Sequence, residues 1–230
     1  MAPKIKKTLP PIRLLVFQGL EIFRQLEIEE TLLKKLPGSF CLINQSTRPA
    51  IVLGLSSQKK TALNLPLLKE KPLALCRRFS GGGTIVVDEN TFLVSFIIEK
   101  KRLNFNFPEE VFKWSENFYR KVFNLKAFSF KENDYLINNQ KCGGNAQYFT
   151  REKWLHHTSF LFDFRKELQD YLLLPEKRPA YRQDRPHETF LIGLKNYFTP
   201  ELFFFRLQKA LKKAFCCQTF SDPADALKML

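Results

Sequence analysis

Two short glycine-bearing segments hold the residues best suited to chemistry. The first reads Arg77-Arg78-Phe79-Ser80-Gly81-Gly82-Gly83-Thr84-Ile85-Val86-Val87-Asp88 and uses three of the nine glycines in the chain. Consecutive glycines let the backbone approach a ligand and turn N–H groups inward, which suits an anion. Arg77 and Arg78 add fixed positive charge beside that nest. The second segment reads Lys141-Cys142-Gly143-Gly144-Asn145-Ala146-Gln147 and follows Asn133-Asp134. A lysine beside paired glycines can set its ammonium against a phosphate or a carboxylate. Each segment also has a plainer reading, as a flexible strand connection and as a hairpin with a surface lysine. The common nucleotide patterns do not match: no Gly-x4-Gly-Lys-Ser/Thr run occurs, and the Gly-x-Gly begun at Gly81 and Gly83 reaches Val86 where a third glycine belongs. Cys142 is a thiol close to Lys141, but its apolar flank and the lack of a nearby histidine in sequence favour an inert side chain over a nucleophile.

Something must hold these segments. Gly19 to Lys35 has helical spacing and is stopped by Pro37-Gly38. Phe40 to Ile43, Ala50 to Leu53, Leu73 to Cys76, Thr84 to Val87 and Phe92 to Ile98 are short apolar runs bounded by turn residues, which predicts strands. Pro108 to Phe123 opens with proline and two glutamates, the signature of a helix N-terminus. Phe128 to Asn138 is β-prone, and Trp154 to Phe164 reads as another strand. Arg165 to Leu174 and Pro200 to Phe215 read as helices. This order is not a strict βαβ alternation. It predicts an α+β fold with a mixed, largely antiparallel sheet packed with helices. No Pro/Gly/Ser-rich linker divides the chain. The expectation is a basic extension over residues 1–12 and a single domain over 13–230.

Lys and Arg total 37 against 23 Asp and Glu, a formal charge of +14. Such a balance points to an anionic partner or to a solvated basic surface. A nucleic-acid module is disfavoured because no RNP-type run, helix-turn-helix or zinc-finger pattern is present. The five cysteines form no CxxC pair, which fits a reducing compartment and no zinc site. No stretch approaches the roughly 18 apolar residues of a membrane span. The apolar run Leu14 to Phe17 is too short for a secretory leader. A cytoplasmic protein without membrane or nucleic-acid partners is expected.

Taken in order, Ser80 to Asp88, Asn133-Asp134 and Lys141 to Gln147 resemble the lipoate–protein ligase A family. That family is marked by an Arg-x-Ser-Gly-Gly-Gly loop, a following Asp, an Asn-Asp pair and a Lys-x-Gly-Gly-Asn-Ala type of loop. Trp154-Leu155-His156-His157-Thr158-Ser159-Phe160-Leu161 is similar to its His-His strand, and Val52-Leu53-Gly54 with Gln58 to its early strand and turn. Arg178 to Arg182 and His187 to Leu191 look like the tail of a short, single-domain branch. The set spans about residues 15 to 165.

The resemblance implies the biotin/lipoate ligase catalytic fold and an ATP-dependent ligase. Lipoate would be activated to lipoyl adenylate and passed to a lysine of a carrier. The implied carriers are acidic apo lipoyl domains, such as 2-oxo acid dehydrogenase E2 subunits, and glycine cleavage H protein. The implied catalytic residue is Lys141, poised between the acyl oxygen and the α-phosphate. The implied nucleotide and adenylate contacts are Arg78, Gly81, Gly82, Gly83, Thr84, Ile85, Val86, Asp134, Lys141, Gly144, Asn145 and Ala146. Phe79, Val87 and His157 are candidates for the acyl pocket, and His156 and His157 for hydrogen-bonded support of the site. Magnesium is implied on the phosphates, with Asp134 as a ligand or neighbour. Val87 stands where the family often has histidine, and Cys142 where it often has an aliphatic residue. No C-terminal accessory domain is expected, so a separate accessory subunit is a possible partner. The alternatives are an ATP-independent octanoyl or lipoyl acyltransferase, and a transfer-only enzyme that needs a partner for adenylation.

Overall fold

A computed structural model describes residues 9–174 and 178–220. Its strands are β1 (Pro11–Gln18), β2 (Phe40–Gln45), β3 (Ala50–Leu53), β4 (Ala74–Arg77), β5 (Ile85–Val87) and β6 (Thr91–Glu99). They continue with β7 (Phe128–Lys131), β8 (Asp134–Ile137), β9 (Gln140–Phe149), β10 (Lys153–Leu161) and β11 (Cys216–Thr219). Three long helices are α1 (Ile22–Lys34), α4 (Pro108–Phe123) and α7 (Pro200–Ala214). Four short ones are α2 (Lys59–Ala62), α3 (Leu65–Glu70), α5 (Lys166–Gln169) and α6 (His187–Phe190).

Eight strands form one sheet in the order β11-β1-β2-β6-β10-β9-β8-β7, and β4-β3-β5 form a second. In the large sheet β1 runs parallel to β2 and β11, and every other junction is antiparallel. Strand alternation sorts the side chains by face. Along β6, Phe92, Val94, Phe96 and Ile98 join the core under α4 and α7, while Leu93 and Ile97 join the cores under α1. Along β10, Trp154 and Phe160 take the first face and Leu155 the second.

The helices follow from their own sequences. The Glu110 carboxylate accepts from the N–H groups of Asn106 and Phe107 and starts α4, behind Pro108. Asn124, with φ of 49°, ends it. The Thr199 hydroxyl accepts from the N–H of Leu202 and starts α7. Both helices bury an aromatic face. Phe123 stacks on Phe128 at 4.4 Å, and Phe203 meets Phe92 and Phe160 edge to face. Much of the unusual phenylalanine content fills this layer.

Helix α1 covers the opposite face and does a second job. Ile28, Leu32 and Leu33 sit on Leu15, Leu42, Ile97 and Leu155. One turn earlier, Ile22 and Leu26 reach Ala50 and Val52 of β3, Val87 of β5 and Leu93 of β6. The helix therefore fixes the small sheet against the large one. The Lys153 ammonium donates to the Leu32 and Leu36 carbonyls at the end of α1.

The expected α+β, largely antiparallel architecture is what the chain adopts. Three local readings change. The segment Lys141 to Gln147 is not a loop but the middle of the ten-residue strand β9. Arg165 to Leu174 is helical only over α5; beyond it the chain is tied to residues 62–64 by Asn64 N–H to Tyr171 O and Leu173 N–H to Ala62 O. Strands β1 and β11 go unread in the sequence. Residues 1–8 of the basic extension lie outside the described residues, and β1 already begins at Pro11. Among the described residues no helix is long and apolar enough to cross a membrane.

Candidate functional site

A cavity of about 580 Å³ lies between the small sheet, α1, strands β8 to β10 and residues 178–191. That is within the usual size of a small-molecule site. Ile22, Leu26, Val52, Ile85 and Leu93 give it an apolar wall, while Arg78, Gly82, Gly83, Asp134 and Lys141 give it a polar one.

The glycine loop is braced from behind by Arg78. Its Nε donates to Gly81 O at 3.0 Å, and its Nη2 donates to Gly81 O at 2.8 Å and Gly83 O at 2.7 Å. The side chain is buried, and burial pulls its pKa down to about 10, so it remains a cation near neutrality. With its carbonyls turned to Arg78, the loop is free to present N–H groups elsewhere. Among the described residues no hydrogen bond uses the N–H of Gly82 or Gly83. Gly82 has φ of +91°, and a Cβ there would lie 2.8 Å from Arg78 Nη2, so both conformation and space require glycine. Arg77 points away and donates to the carbonyls of Gly54, Leu55 and Ser57.

Lys141 owes its direction to a β-bulge. Asp134 pairs with Gly144 and Tyr135 with Gly143, but Leu136 pairs with Lys141, leaving Cys142 as the extra residue. Cys142 and Gly143 then both turn to the aromatic core, while Lys141 and Gly144 both turn to the cavity. A Cβ on Gly143 would strike the Phe160 ring at 2.6 Å. A Cβ on Gly144 would crowd Lys141 Nζ at 3.0 Å, so this glycine makes room for the ammonium. Lys141 Nζ lies 2.8 Å from Asp134 Oδ1, and Tyr181 donates its hydroxyl to Asp134 Oδ2 at 2.7 Å.

A buried chain of polar groups supports the loop from the α1 side. Ser80 Oγ is 2.8 Å from His157 Nε2, and His157 Nδ1 is 3.0 Å from Glu29 Oε2. The other Glu29 oxygen accepts from Ser95 and Gln25. Burial works against the Glu29 carboxylate, but His157, Ser95 and Gln25 together hold its pKa below the usual range. The spacing is that of a nucleophile, a base and an orienting acid, yet Ser80 is fully buried and does not line the cavity. The chain therefore fixes the loop rather than attacking a substrate. His156 points to the other face, where burial drives its pKa down to about 3.

The chain matches the family model of the lipoyl protein ligase A/B catalytic domain over residues 21–216. It belongs to that family. The "inactive lipoate–protein ligase 2" of Plasmodium falciparum is 30% identical over 82% of this chain and 59% of its own length. A mitochondrial lipoyl amidotransferase of Homo sapiens is 26% identical over 70% of this chain and 43% of its own length. The chain thus spans less than two thirds of these relatives. Two solved structures share the fold. One is from the bi-partite lipoate protein ligase of Thermoplasma acidophilum, with a TM-score of 0.75 at 15% identity over 96% of this chain and 91% of that one. The other is a lipoate–protein ligase A bound with ATP, with a TM-score of 0.75 at 13% identity over 96% and 93%.

Of the residues singled out from sequence in this ligase catalytic domain, Arg78, Gly82, Gly83, Thr84, Ile85, Val86, Asp134, Lys141, Gly144, Asn145, Ala146 and His157 all line the one cavity. Gly81, Phe79 and Val87 do not. Phe79 sits edge to face on Tyr148 beside α1, and Val87 is fully buried between α1 and β3. Asp134 has each oxygen bound to a partner within this site, so here it serves Lys141 rather than a metal. Among the described residues no group of three or more His, Cys, Asp or Glu is placed to hold a metal ion. Sequence reasoning missed Glu29, Tyr181 and Arg182. Arg182 is buried, lines the cavity and stacks on Phe190 at 4.3 Å. The run Arg178 to Arg182, with its three cationic or aromatic side chains, was the available signal.

Proposed function

We propose that this chain binds lipoate and ATP in the cavity, joins them as lipoyl adenylate, and passes the lipoyl group to a lysine of a lipoyl carrier domain. The observation that carries the reading is the shared cavity. A cationic lysine, an arginine-braced glycine loop with unused N–H groups and an apolar wall meet in one space. In the first step a carboxylate oxygen attacks the α-phosphorus and pyrophosphate leaves. Two anions must touch, and fixed cations and N–H donors offset their repulsion. Lys141 and the Gly82–Gly83 backbone are the groups assigned to that task. In the second step the carrier amine attacks the acyl carbon and AMP leaves. Ile22, Leu26, Val52 and Leu93 are assigned to the apolar acyl chain. The bound ATP described for the structurally similar ligase A supports the nucleotide part of this reading.

A transfer-only role is the second reading. It is favoured by the similarity to a chain of a ligase described as bi-partite, which fits activation by a separate accessory subunit. An ATP-free transferase using Cys142 as nucleophile is disfavoured, because that thiol is buried in the aromatic core. The charge of +14 suits capture of an acidic carrier domain.

Intact-mass analysis of an apo lipoyl domain separates these readings. One tube holds this protein, lipoate, magnesium and ATP, and a second holds lipoyl adenylate instead of lipoate and ATP. A gain of one lipoyl group in both supports the complete ligase. A gain only with the adenylate supports transfer with a partner for activation. No gain in either, with transfer from an octanoylated carrier, supports the ATP-free reading. Raising salt is expected to slow carrier capture, and a flat response sinks the electrostatic part.

A further inference from the structure

Residues 179–192 close on the sheet edge directly behind Lys141. Ile192 donates its N–H to the Lys141 carbonyl at 2.9 Å. Gln140 donates its side chain to Thr189 O and Leu191 O, and Arg185 donates to Asn139 O. The backbone on both sides of Lys141's own strand start is thus tied to this segment. The segment also reaches two carboxylates that line the cavity, Glu132 and Asp134. Ala180 N–H is accepted by Glu132, and Tyr181 reaches Asp134.

The Tyr181 contact is specific in a way the others are not. Asp134 is a nearly buried carboxylate with two oxygens to place. Tyr181 holds one at 2.7 Å, which leaves the other, at 2.8 Å, for Lys141. A carboxylate free to rotate offers an ammonium several positions; one pinned at a single oxygen offers fewer. The tyrosine is itself fixed. Arg185 donates to its carbonyl at 2.7 Å, and its ring lies 5.6 Å from that of Phe190. Burial and the neighbouring Asp134 push the phenol's pKa far up, so it stays a donor across the working range.

We propose that Tyr181 is a positioning residue for acyl transfer, orienting Asp134 so that it holds the Lys141 ammonium at one point on the cavity wall. The proposal rests on the functional reading above and adds a residue from outside both glycine segments. The hydroxyl is the whole device, so Tyr181→Phe removes it and keeps the ring against Phe190.

The test uses the full chain with lipoyl adenylate and an apo lipoyl domain. Turnover is compared for the wild type, Tyr181→Phe, Asp134→Asn, their double variant and Lys141→Ala. Tyr181→Phe is expected to lower kcat about tenfold with KM for the adenylate within about twofold, the pattern of a lost transition-state alignment. The double variant is expected to be no worse than Asp134→Asn alone, because the two act through one contact. An unchanged kcat in Tyr181→Phe, or fully additive losses, overturns the proposal. Wild-type turnover in Lys141→Ala sinks the role of Lys141 itself, which is a failure of the functional reading. A crystal structure of Tyr181→Phe then decides the positioning separately. Lys141 Nζ displaced from Asp134 supports it, and the ammonium unmoved overturns it.

Discussion

Gly54 and Gly82 meet backbone to backbone: a Cβ on Gly54 would fall 1.9 Å from the Gly82 carbonyl oxygen. No side chain can retreat to relieve such a contact, since both partners are main chain. The turn after β3 is thereby a template for the glycine loop, which Arg78 grips from within. Gly54→Ala is expected to displace the loop. The predicted result is at least a tenfold loss of lipoyl transfer and a stability loss of about 1–3 kcal/mol. Transfer assays and urea unfolding check the two effects. Unchanged transfer would mean that the loop's position is not set by this contact.

The loop itself was readable because consecutive glycines beside arginines have a direct physical meaning. Helix α4 was readable over its full length, since Pro108 and two glutamates mark its start and its buried positions recur at helical spacing. Strand β9 was not. Gly143, Gly144 and Asn145 are poor strand residues, and only the tertiary structure explains them: one glycine admits the Phe160 ring and the other admits Lys141. Strand β1 was hidden for another reason. Both its partners run parallel to it, β2 beyond helix α1 and β11 from Cys216 far along the chain, and parallel pairing leaves no hairpin signal. The same distance hid Glu29 and Tyr181, whose partners His157 and Asp134 lie on other elements.

Arg78 should not tolerate a conservative change. Its guanidinium makes three hydrogen bonds to two carbonyls, and a lysine amine cannot span both with that geometry. Arg78→Lys keeps the charge and loses the fork. Nucleotide or adenylate binding is expected to weaken about tenfold or more, with a stability loss of about 1–3 kcal/mol from the freed carbonyls. Calorimetric titration with ATP or the adenylate reads the first. Binding equal to the wild type would show that charge alone suffices.

Cys142→Ala is expected to leave turnover within about twofold of the wild type. The thiol is fully buried, its Sγ lies 3.4 Å from Tyr135 O, and burial raises its pKa well above the ordinary thiol value. Its removal should cost about 1 kcal/mol of stability through a small cavity. A folded Cys142→Ala chain without transfer activity would restore the thiol acyl-enzyme reading.

Acid should destabilise the fold through His156. The ring is fully buried between Tyr135, Thr158 and Gln147, and its pKa falls to about 3 from an ordinary 6.5. Desolvation is the main cause, with the neighbouring His157 adding to it. The unfolded chain therefore binds a proton that the folded chain refuses between those two values. The contribution is complete above about pH 6.5 and is lost progressively as pH falls toward 3. From pH 7 to pH 5 this single group accounts for about 2 kcal/mol. His156→Gln keeps a hydrogen-bonding side chain without a titrating one, so its stability should be flatter over that range by about the same amount. Glu29 adds an acid-sensitive share of its own, but only as pH falls through and below the carboxylate range, because its folded pKa is lowered. Urea unfolding of both proteins at pH 7 and pH 5 measures the difference. Parallel losses in the two would show that His156 does not carry the acid response.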